Sequence, residues 1–361
     1  MIDFRYHIVS LISVFLALAV GIALGAGPLK ESIGDTLTGQ VEQLRQEKDD
    51  MRVALDVTSA DLARTETVLD ELAPTVLAGA LGERRVAVIE VGDVDPEVLD
   101  EVGRRVGQAG GTVTANVAVA PAWTEPGRGS FRQQIAGTLL EYLDPVPPED
   151  AGTDAELAEA LVQALTRAEP TDPDATADET DLIMEVLREA ELVVTDEQVT
   201  VPADAVILVT GPTVALPEAQ EAAIEATADA EDPQEQADQV EALVQVAAAL
   251  ASSAQDRSEG VVVAGGAVIE TNVVQRIRQD DDAARRLATV DGVHTVTGQV
   301  SVPLALAARI AGTVGHYGPG TGATGVVPAP VVLEPIVRVA DVPEDEDGED
   351  GDEPDPDGDE E

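Results

Sequence analysis

Residues 85–120 read RVAVIEVGDVDPEVLDEVGRRVGQAGGTVTANVAVA, and this stretch decides the fold. Arg85 to Val91 is an almost unbroken apolar run rich in β-branched residues, the pattern of a strand buried on both faces. Asp95 and Pro96 then open a helix, with aspartate as N-cap and proline in the first turn. That helix is predicted through Gln108 and stops at Gly110–Gly111, a C-cap signal. Thr112 to Ala120 reads as the next strand. Strand, helix, glycine and strand make a βαβ unit, which calls for a parallel sheet.

The same cycle recurs downstream. Ala205 to Thr210 (AVILVT) and Gly260 to Ala264 (GVVVA) read as strands, with a helix from Pro217 between them. A helix near Thr271 to Leu287, a strand over Val293 to Thr297 and a helix over Val300 to Val314 complete the series. The expected fold class is α/β, a Rossmann-like, doubly wound parallel domain over residues 83–338. Acidic, low-complexity segments interrupt it at 144–154 and 169–181, together an insert region near 144–181, and at 227–239. They read as solvated insertions outside the core. Residues 339–361 form an acidic C-terminal tail with too little apolar surface to bury, expected to be disordered.

Upstream, residues 8–29 (IVSLISVFLALAVGIALGAGPL) carry no charge. A helix of about 20 residues crosses the hydrocarbon core of a bilayer, so residues 1–29 are assigned as a transmembrane anchor. Ser10 and Ser13 can bond back to helix carbonyls. A cleaved secretory signal is the rival reading, with small residues near Gly25 and Ala26. Its apolar core is usually only about 7–15 residues after a basic start, whereas here Arg5 stands alone. Ala17, Gly21 and Gly25 repeat at four-residue spacing, a small-xxx-small face on which two membrane helices can approach closely.

Residues 30–74 then carry a heptad pattern. Val41, Lys48, Leu55, Leu62 and Leu69 fall at a; Leu37, Leu44, Met51, Thr58, Thr65 and Leu72 fall at d. A sustained 3.5-residue repeat favours a left-handed coiled coil. Lys48 at a weakens the seam while fixing register, and Glu47 at g can reach Arg52 at e of a parallel partner. Asp61 and Glu66 repel at the equivalent distal pair. Pro74, with no amide donor, is expected to end the helix. The reading is a parallel homodimer through the transmembrane helix and the stalk; folding of the long helix onto its own domain is the alternative.

Composition narrows the function. The 361 residues include 70 acidic and 21 basic side chains, a formal charge of −49. That sign excludes nucleic acid as a partner and disfavours anionic lipid heads. High-salt adaptation or a cation-rich envelope would each account for it. There is no cysteine, which removes disulfide, zinc-thiolate and thiol chemistry. Aromatic residues are 2% of the chain, so Val, Ala, Leu and Ile must build the core.

No catalytic motif is assembled, and the chain is read as a non-enzyme. After the first strand, Gly92–Asp93–Val94–Asp95 lacks the glycine spacing of a dinucleotide loop, and its carboxylates would repel phosphate. Asp93 and Asp95 could help hold Mg²⁺, but helix capping is the simpler account. Gly265–Gly266 is a tight turn that admits either a ligand or merely a positive φ. There is neither a phosphate-binding loop ending in Gly-Lys-Ser/Thr nor a nucleophile elbow. The histidines are His7, His294 and His316, and Met1, Met51 and Met184 lie far apart. His294 and His316 are the weak candidates for metal ligation, because two histidines can meet in a fold or across a dimer.

Three blocks resemble the actinobacterial MctB family. They are MIDFRYHIVSLISVFLALAVGIALGAG at 1–27, the region 103–124 with AGGTVTANVAV and Trp123, and GVHTVTGQVSVPLALAARIAGTVGHYGPGTGATGVVP at 292–328. The resemblance implies an envelope protein with one anchor, a coiled coil and a degenerate α/β domain. It also implies a role in copper transport and homeostasis, with copper as the possible bound metal. An outer-membrane pore is proposed for the family. Short, apolar strands separated by helices suit a transmembrane barrel poorly. Some relatives resemble partners in septal wall remodelling, so a non-enzymatic dimeric scaffold that recruits an envelope protein partner is the alternative function. The expected location is the cell membrane, single-pass, with a cytoplasmic N-terminus and the α/β domain outside. Arg5 and Lys30 flank the span too evenly for charge to decide the orientation.

Overall fold

A computed structural model describes residues 4–26, 28–148, 150–195, 198–211, 233–266 and 272–340. The chain divides into two compact units, Met1–Thr67 and Val68–Glu361.

The first unit is helical. Helix α1 spans Phe4–Ala26 and α2 spans Pro28–Leu77, so the last turns of α2 belong to the second unit. Within α1, Phe4–Ala23 is long and apolar enough to cross a membrane, by length and composition. One of its hydroxyls is satisfied within the helix: Ser13 Oγ donates to the Val9 carbonyl at 2.9 Å. Pro74 does not end α2, which continues to Leu77. A proline near a helix end costs one amide bond and keeps a helical φ. Burial of Ala73 and Leu77 on either side of it holds the last turn in place.

The second unit is a mixed α/β structure around a mostly parallel sheet. Its strands are β1 (Arg85–Val91), β2 (Thr112–Val119), β5 (Val193–Val194), β6 (Ala205–Thr210), β7 (Val261–Gly265), β8 (Ala288–Val290) and β9 (His316–Tyr317). Their order across the sheet is β5-β2-β1-β6-β7-β8-β9. Every pairing is parallel except β2 with the short edge strand β5. The helices are α3 (Pro96–Gln108), α4 (Gly129–Leu139), α5 (Thr153–Thr166), α6 (Asp178–Glu189), α7 (Pro233–Arg257), α8 (Val273–Gln279), α9 (Asp281–Arg286) and α10 (Val296–Ile310). A hairpin of β3 (Ala168–Glu169) and β4 (Asp172–Thr176) lies apart from the main sheet.

Alternation along the central strands makes two cores, because successive strand side chains point to opposite faces. Ala87, Ile89 and Val91 join Val206, Leu208 and Val263 beneath α5, α6 and α7. Val86 and Val88 join Ile207, Val209 and Val262 beneath α3, α10 and the end of α2. With aromatics so scarce, Trp123 is the largest fully buried side chain.

Several boundaries differ from the sequence reading. Residues 144–181 are not a solvated insert: α5 lies within them and buries Leu157, Leu161 and Leu165 completely. The acidic stretch 169–181 forms β4 and the first turn of α6, where Asp178, Glu179 and Asp181 suit the positive helix N-terminus. In the 227–239 segment, helix α7 already begins at Pro233; residues 227–232 and the helix start expected at Pro217 lie outside the described residues. Thr271 also lies outside them, and the helix expected through Leu287 is two helices. It breaks at Asp280, whose carboxylate accepts from Asp282 N and Ala283 N. The strand expected at Val293–Thr297 is instead Ala288–Val290, because Thr295 caps α10 through Gly298 N at 3.2 Å. The helix expected at Val300–Val314 correspondingly spans Val296–Ile310. Of the 339–361 tail, only 339 and 340 are described.

After β9 an extended strap returns across the sheet's other end. Leu333 N donates to Gly79 O at 3.2 Å and Ile336 N to Gly82 O at 3.0 Å. Arg84 Nη1 donates to Glu334 O at 3.0 Å, and Arg338 pairs with Asp204. Gly82 has φ +50°, and a Cβ there would lie 2.6 Å from Glu334 O. Gly82→Ala should therefore lower stability by about 1–3 kcal/mol, read from urea unfolding of the full chain in detergent. An unchanged midpoint would show that the strap contributes nothing.

Candidate functional site

An α/β sheet usually binds ligands at its carboxyl edge, where neighbouring connections leave toward opposite faces. Here that place lies between β1 and β6, because α3 packs on one face and α7 on the other. Described residues pack closely there. Gly92 turns the chain at φ +80° against Leu243 of α7. Gly211 lies so close to Asp93 that a Cβ on it would sit 2.0 Å from the Asp93 carbonyl oxygen. Asp95 caps α3, accepting from Glu97 N at 2.9 Å. Glu90 is half-buried, and its Oε1 accepts from Val94 N at 3.3 Å. Burial, with the Asp93 charge adding to it, raises the Glu90 carboxyl above its ordinary range. Gly211 thus brings backbone against backbone, and Gly92 packs against the Leu243 side chain.

The chemistry-bearing side chains gather further along the same edge, around β8 and β9. Asp291 follows β8 and is fully buried, where it pairs with Arg278 of α8 at 2.5 Å. Two buried charges persist only when paired and otherwise hydrogen-bonded. Asp291 also accepts from Gly320 N at 3.1 Å to each carboxylate oxygen. Arg278 also donates to Thr289 Oγ1 at 2.9 Å, Tyr317 O at 2.8 Å and Thr321 O at 3.3 Å. The glycine loop is fitted around this pair. A Cβ on Gly318 would meet Asp291 Oδ1 at 2.1 Å, and one on Gly320 would meet Asp291 Oδ2 at 2.6 Å.

His316 closes the network. Its Nδ1 lies 2.9 Å from Thr289 Oγ1 and its Nε2 lies 3.1 Å from Ala284 O. A carbonyl can only accept, so Nε2 carries the proton and Nδ1 accepts from the threonine hydroxyl. Thr289 can donate there because it receives Arg278 Nε–H. Both ring nitrogens are thus engaged in the fold, leaving His316 no lone pair for a metal. His294 is exposed on the loop before α10. Among the described residues no group of three or more His, Cys, Asp or Glu side chains could hold a metal ion. Gln275 Nε2 is buried beside Gly320 with no hydrogen-bond partner, and Asn272, also buried, caps α8 through Gln275 N.

Around β8 and β9, the sequence singles out His316, His294 and the Gly265–Gly266 turn; Asp93 and Asp95, its other candidates, lie apart from this cluster, after β1. Gly265 and Gly266 supply carbonyls to Val293 N and Gly292 N, which ties β7 to the loop after β8. Arg278, Asp291 and Thr289 escaped notice because nothing in local sequence distinguishes a buried arginine or aspartate from an exposed one. The close glycine spacing at 318, 320 and 322 was the available signal, since it marks backbone packed against something bulky or charged.

The motif-rich block 292–328 thus folds around a closed ion pair. Comparison with known proteins extends across the chain: a family model described as "Copper transport outer membrane protein, MctB" matches residues 1–328. The chain belongs to the MctB family. It is 27% identical over 332 residues to the copper transporter MctB of Mycobacterium tuberculosis, covering 90% of this chain and 99% of that protein. It is 24% identical over 342 residues to the copper transporter MctB of Mycobacterium leprae, again covering 90% and 99%. The family match stops at 328, before the strap that engages Gly79 and Gly82.

Two measurements probe the cluster. Asp291→Ala would strand the Arg278 charge and should cost about 3–5 kcal/mol of stability, measured by denaturant unfolding. Burial, then the Arg278 charge, holds the His316 imidazole below its ordinary value of 6.5. The unfolded chain therefore binds this proton more tightly, so the stability from neutral His316 is complete above about pH 6.5. It is lost as pH falls from there through the folded-state value. His316→Gln should flatten that part of the stability profile; an unaltered slope would remove His316 as its source.

Proposed function

We propose that this chain is a single-pass, membrane-anchored envelope protein that takes part in copper transport and homeostasis without catalysing a reaction. The observation that carries this reading is the family match from the first residue, through the apolar α1, to the end of the β9 glycine loop. The relatives it resembles over nearly their whole length are named copper transporters. Copper is cargo in this reading. The closed state of Asp291, Arg278 and His316 argues against that cluster as its binding point, and His294 alone is too few ligands for a specific site.

The strand order, with one antiparallel edge strand, supports a Rossmann-like ancestry for the α/β unit, and the carboxylates of Asp93 and Asp95 after β1 disfavour a bound phosphate. In this reading the α/β unit lies outside the membrane and the N-terminus is cytoplasmic, because a large, acidic, lysine-poor domain suits export. A pore built from these strands fits poorly. Membrane-spanning strands need about 9–11 residues, and the described strands are two to eight residues long. A dimeric scaffold that recruits an envelope partner is the second reading, favoured by Val53 and Val57, which α2 exposes away from the heptad seam.

Deleting the gene should raise cellular copper and copper sensitivity, and the full chain supplied in trans should restore both. Unchanged copper content and tolerance would overturn the copper reading; a septation defect in that strain, with a stoichiometric partner in membrane pull-downs, would establish the scaffold. Protease treatment of intact cells should remove the α/β unit, whereas full protection would reverse the proposed orientation.

A further inference from the structure

Along α2 the apolar heptad residues face water. Leu44, Met51, Leu55 and Leu62 are each about 60% exposed, and Val41 is 46% exposed. Rows of large apolar side chains on a soluble surface mark an interaction site. Their spacing identifies the partner. A single globular face would follow the 3.6-residue helical period, whereas a strict seven-residue repeat stays on one seam only when two helices supercoil.

The second unit adds an observation that the sequence pattern did not reach. Because α2 continues through Pro74, another a position exists at Val76, seven residues after Leu69 and fourteen after Leu62. Val76 is 41% exposed, and Leu72 at the preceding d position is 53% exposed. The inward side of these turns is a different stripe. Asp70 pairs with Arg104 and Arg105 of α3, while Ala73 and Leu77 are buried. The α/β unit thus holds one side of the helix and leaves the seam side open. Val332 of the strap, itself exposed, stands beside Gly79 just past the helix end, 3.3 Å from where a Cβ would lie.

We propose that a second copy of this chain, parallel and in register, covers this row from Val41 through Val76, so that pairing extends past the stalk onto the surface of the α/β unit. Charge selects a copy over an unrelated apolar partner. Glu47 at g faces Arg52 at e of an identical parallel chain, and Lys48, Thr58 and Thr65 on the seam penalise slipped registers. Anchoring in one membrane raises the effective concentration of two such helices. Ala17 and Gly21, exposed on α1, share four-residue spacing with Gly25, which suits close approach in lipid. The proposal does not rest on the copper reading, and its test never measures copper.

The chain has no cysteine, so single substitutions report cleanly. Full-length Leu55→Cys, Leu62→Cys, Val76→Cys and Val53→Cys variants would be oxidised with diamide in native membranes and resolved on non-reducing gels. The seam positions Leu55, Leu62 and Val76 should give disulfide-linked dimers many-fold faster than Val53, which lies on the opposite face at f. Equal rates at Val53 and Leu55, or no dimer at Leu55, would overturn the pairing. Dimer at Leu55 and Leu62 with none at Val76 would overturn its extension onto the α/β unit. All four sites are exposed, so none of the substitutions challenges folding.

Discussion

The structure depends on the two-sided burial of β1. Arg85 to Val91 is paired on one edge with β2 and on the other with β6, and nearly every side chain it carries is covered. A strand in that position cannot alternate polar and apolar residues, so helices must close both faces. Val, Ala, Leu and Ile suffice for those layers because strand alternation divides the core in two, each part thin enough for small aliphatic side chains to fill. Charged groups gather at both ends of the strands, and each end shows how the chain disposes of them.

At the carboxyl end, glycines let backbone and charge approach closely. Gly211 against Asp93 fills the edge between β1 and β6, and Gly318 and Gly320 wrap Asp291 so that its charge is spent on Arg278 and on amides. At the amino end, Arg84 and Arg338 are tied to Glu259 and Asp204, and the strap bonds to the turn after α2. In a chain of formal charge −49, these buried or half-buried arginines are an asymmetric resource, placed where a carboxylate must be neutralised inside the fold. Both clusters thus turn their charge inward onto partners within the fold.

The sequence made β1, α3 and β6 legible to within a residue because each carries its own punctuation: a β-branched run, an Asp-Pro start, a glycine stop. It failed on α5, where an acidic flank at 144–154 concealed a helix whose leucines all face the core. It also failed on β8, three residues long and without its own turn signal. Of the candidate site, His316 was visible as a residue type only. Its partners Thr289 and Ala284 lie 27 and 32 residues away in sequence, and no local pattern encodes such a meeting.

What the sequence determined by itself is the first βαβ unit with its neighbour β6, and the patterns that govern the sheet, the anchor and the stalk. Period two with two-sided burial yields the α/β sheet, an uncharged run of about 20 residues suits a membrane span, and the heptad repeat sets one apolar seam. The tertiary structure alone decided which charges are silent and which surfaces remain open. Arg278 and Asp291 cancel only because α8 and the glycine loop converge on the end of β8. Val76 stays exposed only because Asp70, Ala73 and Leu77 turn the other stripe of α2 toward the α/β unit. Periodicity is a local property carried by neighbouring residues, whereas charge neutralisation and exposure depend on long-range packing that brings distant elements to one place.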